Sequence, residues 1–489
     1  MRIYRSLLCI LLANILLIGP AIRAEGSEGI LKDAIPEDIE FGDITVELVP
    51  FVQAPRTDDA SKPTIKFGET ETLLATNNAY ARLQYMMPLP DGSGRLAFND
   101  IRGVLYFVDR DGGNLTTYLD VRNEVPDLAE NIFPNEVGLM GFAFHPDFGE
   151  KGRPGYGKFY TGYSATKESG QPLYMIDEAQ SHHTVLREWT TTNHLANDFE
   201  GTSREVFRVG QFNMAHNIGN LAFNRGAAPE SSDYGMLYFS MGDGGSAFDP
   251  KGNGQDIATP LAALLRISPL ANNKKPYSIP GDNPFVDTPN AAPEIWAFGL
   301  RHVQHFSFSK DGTLFLNDIG QNQIEEVNIG IRGANYGWNV REGTFLTGAG
   351  VEGGSLPYLY PLVDLNDDFT YPVAQYDHDD LSNAIGAGFL YEGDAIPTLR
   401  GMYVFSDLVQ GRLFYTDLSE RNEQGLATIL ELRTRINGKN QALKEVLAYE
   451  NTYAPIPRVD LRLGTDSEGE IYTLSKGDGK IRKIVLAEQ

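Results

Sequence analysis

The length, composition and charge of the chain restrict its class. It has 489 residues, more than the roughly 250–300 at which a single hydrophobic core stops growing, so it holds two domains or one repetitive architecture. The 65 Asp and Glu residues exceed the 41 Lys and Arg residues and give a net charge of −24. This acidity argues against a nucleic-acid or anionic-membrane partner, because such partners bind basic surfaces. A content of 51 Gly and 27 Pro favours many turns over long helices.

The first residues have the order of a secretory signal. Met1–Ala24 contains a charged start, an apolar run over Leu7–Ile18 and small residues before the expected cleavage point. The run is shorter than the ~20 residues needed to span a bilayer, so we predict a cleaved signal rather than a membrane anchor, and a periplasmic or secreted protein. Cys9 is the one cysteine, and the mature chain then has no disulfide or thiolate ligand. Residues 25–78 are predicted to be an N-terminal leader with one strand near Ile44–Phe51.

From about Ala79 onward, one pattern returns along the chain. A β-rich run is followed by a turn and then by a second β-rich run that carries aromatic residues. The copies lie at 95–109, 138–163, 221–241, 306–318, 401–417 and 461–474. Repeated small antiparallel sheets predict an all-β fold, a six-bladed β-propeller with long loops over 79–489. The alternative is a pair of β-sandwich domains. In a propeller, functional residues belong to loops at one mouth of the ring.

Several short motifs follow one another in the chain. They are Gly138–Phe148 (GLMGFAFHPDF), Ala215–Phe223 (AHNIGNLAF), Met241–Gly245 (MGDGG), Pro293–Arg301 (PEIWAFGLR), Asp318–Asn328 (DIGQNQIEEVN) and Asn335–Trp338 (NYGW). Together they resemble the soluble pyrroloquinoline quinone (PQQ) dependent glucose and aldose sugar dehydrogenases, also called glucose/sorbosone dehydrogenases. The resemblance covers roughly Ala79 to Val485. It implies oxidation of a sugar hydroxyl with PQQ and calcium, and transfer of the electrons to a separate acceptor protein or dye.

His216 and Arg301 are the candidate catalytic residues. His216 lies in a Gly-flanked turn, and an imidazole titrates near neutral pH, which suits a general base. A hydrogen-bonded structural histidine is the alternative. Arg301 ends an apolar strand, from which its guanidinium can stabilise negative charge on a quinone oxygen. The resemblance implies the same roles: His216 as the base for the sugar hydroxyl and Arg301 as a cofactor contact.

Glu136 and Arg462 are further candidates near the substrate and the cofactor. Relatives carry Gln or Glu near the sugar at the position of Glu136, which is predicted to bind a substrate hydroxyl. An exposed, solvated carboxylate is the alternative. Near the C-terminus, relatives carry cofactor-facing arginines just before an Asp; here Arg458 lies two residues before Asp460, so the match requires a shift by one residue, and Arg462 lies further on.

Calcium is the metal that the motifs favour, because they offer oxygen ligands and no thiols. The resemblance implies that the main-chain carbonyls of Gly320 and Gln321 hold the ion that binds the quinone. It also implies a second, structural site made by Glu325, Glu326 and the carbonyl of Tyr336. A solvated Glu-Glu pair is the alternative.

Some positions depart from the pattern of the family. Relatives have Asn-Pro after the arginine, where this chain has His302 and Val303, and a Lys or Arg where it has Glu392. A Gly-Lys pair is replaced by Ala262 and Ala263. Because PQQ is a tricarboxylate, the loss of cationic partners predicts weaker binding of this cofactor.

Two other functions therefore stay open. The first is a propeller without redox activity that binds a carbohydrate or a protein. The second is a calcium-dependent, lactonase-like hydrolase on the same scaffold. The spacing of His302 and His305 also matches a zinc pair, but in a strand these two residues would point to opposite faces.

Overall fold

The structure is a computed structural model. It describes residues 29–57, 65–67, 70–72, 80–129, 136–176, 179–271, 275–321, 323–361, 368–378, 384–449 and 459–488. The predicted signal at 1–24 and Arg458 lie outside these residues. The helices of the described chain are α1 (Val121–Glu124) and α2 (Leu443–Tyr449), with 3-10 turns at Asn253–Gln255 and Pro397–Leu399. Neither helix has the length and hydropathy of a membrane span.

We divide the main strands of the described residues into six groups, which we call blades 1 to 6; blades 5 and 6 belong to one nine-stranded sheet. A long strand, β1 (Phe41–Gln53), and a small hairpin, β2 (Ile65–Phe67) and β3 (Thr70–Thr72), precede them. Blade 1 contains β4 (Leu83–Pro88), β5 (Leu96–Asp100), β6 (Val104–Val108) and β7 (Thr116–Asp120). Blade 2 contains β8 (Leu139–Phe144), β9 (Lys158–Thr166), β10 (Tyr174–Met175), β11 (His182–Thr191) and β12 (Gly201–Gln211). Blade 3 contains β13 (Ile218–Phe223), β14 (Leu237–Met241), β15 (Ala263–Ile267) and β16 (Ile295–Phe298).

The other three blades follow the same plan. Blade 4 contains β17 (His305–Phe308), β18 (Leu314–Asp318), β19 (Ile324–Ile329) and β23 (Ala374–Asp377), with a small inserted sheet of β20 (Arg341–Glu342), β21 (Phe345–Thr347) and β22 (Leu359–Tyr360). Blade 5 contains β24 (Ile385–Leu390), β25 (Tyr403–Asp407), β26 (Leu413–Arg421), β27 (Ala427–Ile436) and β28 (Lys439–Asn440). Blade 6 contains β29 (Leu461–Thr465), β30 (Ile471–Ser475) and β31 (Lys480–Leu486), and β1 is its outer strand.

The blades are arranged in a ring. The first strand of each blade contacts the first strand of the next, and β29 of blade 6 contacts β4 of blade 1. Apolar clusters fill the space between neighbouring blades: Met140 of blade 2 shares a cluster with Leu221 of blade 3, and Leu264 of blade 3 shares another with Phe306 of blade 4. Each blade therefore buries its faces against its neighbours. The predicted all-β propeller fold is confirmed.

The strand β1 joins the beginning of the chain to its end. It is antiparallel to β31 and parallel to β27, so it closes blade 6 and also reaches blade 5. The strand predicted near Ile44–Phe51 is thus longer than expected and belongs to the propeller sheet, although the sequence places it within the leader.

The inner strands all run in the same direction and give the ring two different ends. Gly219 packs against the Val303 carbonyl, where a Cβ would lie 2.3 Å from the oxygen, and Asn220 donates to the Phe306 carbonyl at 3.0 Å. The order of contacts along β13 and β17 is therefore the same. We call the end where the inner strands begin the front, and the other end the back.

Aromatic side chains close the middle of the ring. The Tyr85 ring of blade 1 lies 5.6 Å from the His305 ring of blade 4 and 5.5 Å from the Phe142 ring of blade 2, measured between centroids. The Phe389 ring of blade 5 lies 5.0 Å from the His305 ring. We call these four residues the aromatic plug. It joins the inner strands of blades 1, 2, 4 and 5 across the ring.

Candidate active site

His216 lies at the front, immediately before β13, in a conformation that is unusual for a residue with a side chain. Its φ is 55°, in the left-handed region that non-glycine residues seldom adopt. Its Nδ1 lies 2.6 Å from Oδ1 of Asp243. Asp243 is held in turn by Trp338, whose Nε1 donates to Oδ2 at 2.9 Å, and by the main-chain N–H of Gly245 at 2.9 Å. The imidazole is therefore oriented by a buried carboxylate with fixed hydrogen bonds.

The other nitrogen of His216 faces Arg301. A terminal nitrogen of the guanidinium lies 3.2 Å from Nε2 of His216. Arginine has no acceptor, so Nε2 accepts this hydrogen bond and the proton of the neutral ring lies on Nδ1, toward Asp243. Burial, and then the charge of Arg301, lower the pKa of His216, while Asp243 opposes this shift. The two residues predicted to be catalytic thus lie in one site, where the Nε2 lone pair of a neutral imidazole accepts a hydrogen bond from Arg301.

His302 and Glu136 lie on the opposite side of His216. The His302 ring stacks on the His216 ring with centroids 4.9 Å apart. Oε2 of Glu136 accepts a hydrogen bond from the main-chain N–H of His216 at 2.5 Å and lies 3.4 Å from Nε2 of His302. Glu136 is therefore part of the scaffold around the base. Its predicted role in substrate binding stays a prediction.

The Gly320–Gln321 turn lies against Arg301. The guanidinium donates to the carbonyls of Ile319 and Gly320 at 2.9 and 2.7 Å, and its Nε donates to the Gln321 side chain at 3.3 Å. A Cβ on Gly320 would lie 1.8 Å from the Ile324 carbonyl, which explains the glycine. The Gly320 carbonyl, predicted to hold calcium, is thus bound by a guanidinium. In this arrangement it does not fit a metal ion.

Glu325 and Glu326 do not converge on one point. As neighbours in β19, they face opposite sides of the strand. Glu325 is paired with His378 at 2.6 Å, and Glu326 accepts from the main-chain N–H of Gly343 at 2.6 Å. The Tyr336 hydroxyl donates to the Ile329 carbonyl at 2.6 Å. Within the described ranges, no three His, Cys, Asp or Glu side chains are grouped as metal ligands, so we derive no step through calcium.

Other buried cations accompany Arg301 at the front. Arg82 precedes β4, Arg462 lies in β29, and Lys476 follows β30; their exposed fractions are 7%, 4% and 1%. Arg462 donates to the Gln304 side chain at 2.9 Å, so it lies beside the segment that carries Arg301. Cations at this end provide the charge that a tricarboxylate quinone requires. These cations share the front of the ring with the carboxylates of Glu136, Asp243 and Asp318.

Glu392 lies elsewhere. It follows β24, at the back of the ring, where it forms an ion pair with Arg225, which follows β13. It also accepts from the main-chain N–H of Lys310 at 2.7 Å. Glu392 was expected to bring negative charge to the cofactor site, but it contacts residues that follow β13 and β17, whereas His216 precedes β13.

Sequence reasoning missed Asp243, Trp338 and His302 as parts of this site. Asp243 and Trp338 lie in the MGDGG and NYGW motifs, but nothing in their spacing shows that both contact one imidazole. An acid in a Gly-rich turn after a buried strand, together with a candidate base in a similar turn, was the available signal. Arg82 and Lys476 lie outside the motifs.

Comparisons with known proteins identify relatives of this chain. HIPL1 protein of Arabidopsis thaliana is 30% identical over 372 residues, which are 66% of this chain and 50% of that protein. Quinoprotein glucose dehydrogenase B of Acinetobacter calcoaceticus is 26% identical over 251 residues, 48% of this chain and 46% of that protein. The chain thus spans about half the length of these relatives.

The fold has a counterpart among solved structures, and the sequence matches a family. The structure of the PQQ-bound form of aldose sugar dehydrogenase from Streptomyces coelicolor is 20% identical in sequence and superposes with a TM-score of 0.52. The superposition covers 83% of this chain and 95% of that chain, and this likeness shows the fold. The sequence profile described as Glucose / Sorbosone dehydrogenase matches residues 83–447, well over half of the chain. The chain therefore belongs to the glucose/sorbosone dehydrogenase family.

Proposed function

We propose that this protein is an exported oxidoreductase that oxidises a hydroxyl group of an aldose or related sugar, with PQQ as the cofactor. The observation that carries the proposal is the arrangement of His216, whose Nδ1–H is held by Asp243 and whose Nε2 faces Arg301. A base of this kind is needed because a hydroxyl must lose its proton as its carbon loses hydride. Family membership and the likeness to a quinoprotein glucose dehydrogenase support the same reaction.

The residues of the chain have separate tasks in this proposal. Nε2 of His216 takes the proton of the sugar hydroxyl, and Asp243 stabilises the imidazolium that results. Arg301 lies within reach of the same atom and stabilises negative charge that develops on oxygen. Bound PQQ would supply the two-electron acceptor. Arg301, Arg462 and other cations at the front would pair with its carboxylate groups. Electrons then leave to a separate acceptor, since the chain has one cysteine, Cys9, and hence no haem attachment motif.

The test is uptake of PQQ and turnover by the purified mature chain. We expect PQQ to give the absorption of a bound quinone, and the loaded protein to reduce a dye when an aldose is added. His216→Ala should retain the quinone absorption and lose dye reduction. Parallel assays with calcium and with a chelator show whether any metal is needed. Failure to take up PQQ even at saturating calcium would contradict the proposal and favour a propeller that binds a carbohydrate or protein without redox chemistry.

A further inference from the structure

His302 is packed against the face of the proposed base. The two imidazole planes differ by 22°, and His302 is 1% exposed. A Cβ on Gly242 would lie 2.6 Å from Nδ1 of His302 and 2.7 Å from Cβ of His216. The stack therefore depends on the absence of a side chain at residue 242. Such close packing fixes the plane of the His216 ring.

Glu136 connects the two histidines. One oxygen, Oε2, receives the main-chain N–H of His216 and lies within ion-pair distance of the His302 ring. The main-chain carbonyl of Glu136 accepts from the Asn217 side chain at 2.8 Å, which holds the loop of Glu136 to the turn of His216. A single carboxylate thus links the backbone of one histidine to the ring of the other.

Charged and titratable groups face His216 from two sides. His216 is faced by Asp243 and Arg301 on one side, and by His302 and Glu136 on the other. The carboxylate of Asp318 accepts from the main-chain N–H groups of Arg301 and His302 at 2.8 and 2.7 Å. Burial alone would raise the pKa of Glu136, but His302 and then His216 hold it below its usual range. The Glu136 carboxylate is therefore ionised beside the histidine stack.

We propose that His302 and Glu136 form a buried charge pair that positions His216 and sets the pH range in which His216 acts as a base. This inference rests on the proposed function only in treating His216 as a base. The pairing of His302 with Glu136 is a property of the protein without cofactor or sugar. His302 and Glu136 are positioning residues: they contact His216 and need not contact substrate. In such a pair, a positive charge on His302 and a negative charge on Glu136 would act on His216 in opposite directions.

Titration of His216 in the free protein tests this pairing. The His216 imidazole would be followed by NMR across pH, without cofactor or sugar, in wild type and two variants. His302→Asn leaves Glu136 alone beside His216 and should raise the titration midpoint of His216. Glu136→Gln leaves His302 alone and should lower it. At 4.9 Å, a unit charge shifts the midpoint by at least about 0.5 pH unit, even with the screening of bulk water.

Opposite shifts distinguish the pair from a merely structural role. Loss of packing alone would expose His216 in both variants and move both midpoints upward, toward the value of a solvated histidine. Shifts in the same direction, or shifts well under 0.5 pH unit in both variants, would overturn the proposal. If His302→Asn does not fold, His302→Gln replaces it in the experiment. His194→Asn is the matched control, because His194 contacts Tyr156 away from this site. The measurement uses no turnover, so it stands even if PQQ does not bind.

Discussion

Tyr85 and His305 meet across the axis of the ring, although they belong to blades 1 and 4. Together with Phe142 and Phe389 they fill the space that could otherwise be a channel. Glu392 and Arg225 follow the inner strands β24 and β13, whereas His216 precedes β13, so these two charges lie at the other end of the ring from His216. This relationship gives the first prediction.

Glu392→Lys should leave the front of the ring unchanged and should destabilise the protein. The change places a cation beside Arg225 and removes the acceptor of the Lys310 N–H group. Because Arg225 is one-third exposed, we expect the free energy of unfolding to fall by about 1–2 kcal/mol, measured by chemical denaturation. PQQ affinity and the His216 titration should match wild type. A clear gain in PQQ affinity would place Glu392 at the cofactor, contrary to the structure.

Asp243→Asn should remove most of the activity and leave the fold intact. The amide of asparagine can donate to Nδ1 of His216, which would force the ring proton onto Nε2, where the lone pair is needed. A similar change in a serine protease triad costs about 10⁴-fold in kcat, and we expect a loss of at least about 10²-fold in kcat. Unchanged circular dichroism and melting temperature serve as the control. Activity within a factor of two of wild type would show that His216 is not the base.

The rate should depend on pH through His216. Its pKa is lowered by burial and by Arg301, so the imidazole stays neutral at pH values at which a solvated histidine becomes protonated. We expect kcat/KM for sugar oxidation to be constant near neutral pH and to fall only on the acid side of the ordinary titration range of histidine. Arg301→Gln removes a lowering charge, and the acid limb of its remaining activity should move to higher pH. An acid limb that stays in place would separate Arg301 from the titrating group.

Buried carboxylates in blade 4 should make the protein less stable at high pH. Burial, and then the charge of Asp318, raise the pKa of Glu326 to about 8, and burial raises that of Asp318 to about 7. A carboxyl group whose pKa is raised by folding stabilises the folded protein. This contribution is complete at pH values below the pKa of the group in the unfolded chain, and it is lost as the pH rises through the pKa of the group in the folded protein. The contribution of these two groups is lost between their unfolded pKa values, about 4, and about pH 8. The free energy of unfolding, measured in a chelator, should therefore fall as the pH approaches about 8 and level off above it.

Glu326→Gln is the matched variant for this effect. It keeps the acceptor for the Gly343 N–H group and removes the ionisation, so the loss of stability at high pH should become smaller. An equal loss in wild type and variant would assign the effect to other groups. Burial lowers the pKa values of His145 and His182 to about 4, so these residues destabilise the fold at acid pH and do not affect the comparison.

The fold was more predictable from the sequence than the site. Each hairpin is a local pattern of alternating strands and turns, and six copies of it give the class of fold directly. His216 and Arg301 were found because each has a chemistry that its motif displays. Asp243 and His302 contact His216 from loops 27 and 86 residues away, and this closeness exists only after the ring has formed. Glu392 was misplaced because a motif gives no information about which end of a strand faces the site.

The pairing of β1 with both β31 and β27 has a consequence for synthesis. A ribosome or export channel delivers β1 early and its partners last, so β1 has no partner during most of translation. Blades 1 to 5 can form in order, but the ring stays open until the final hairpin arrives and places β31 beside β1. The sheet of blade 6 therefore cannot be completed before β31 is available to β1. A chain cut before its last blade would expose unpaired edges on two separate strands.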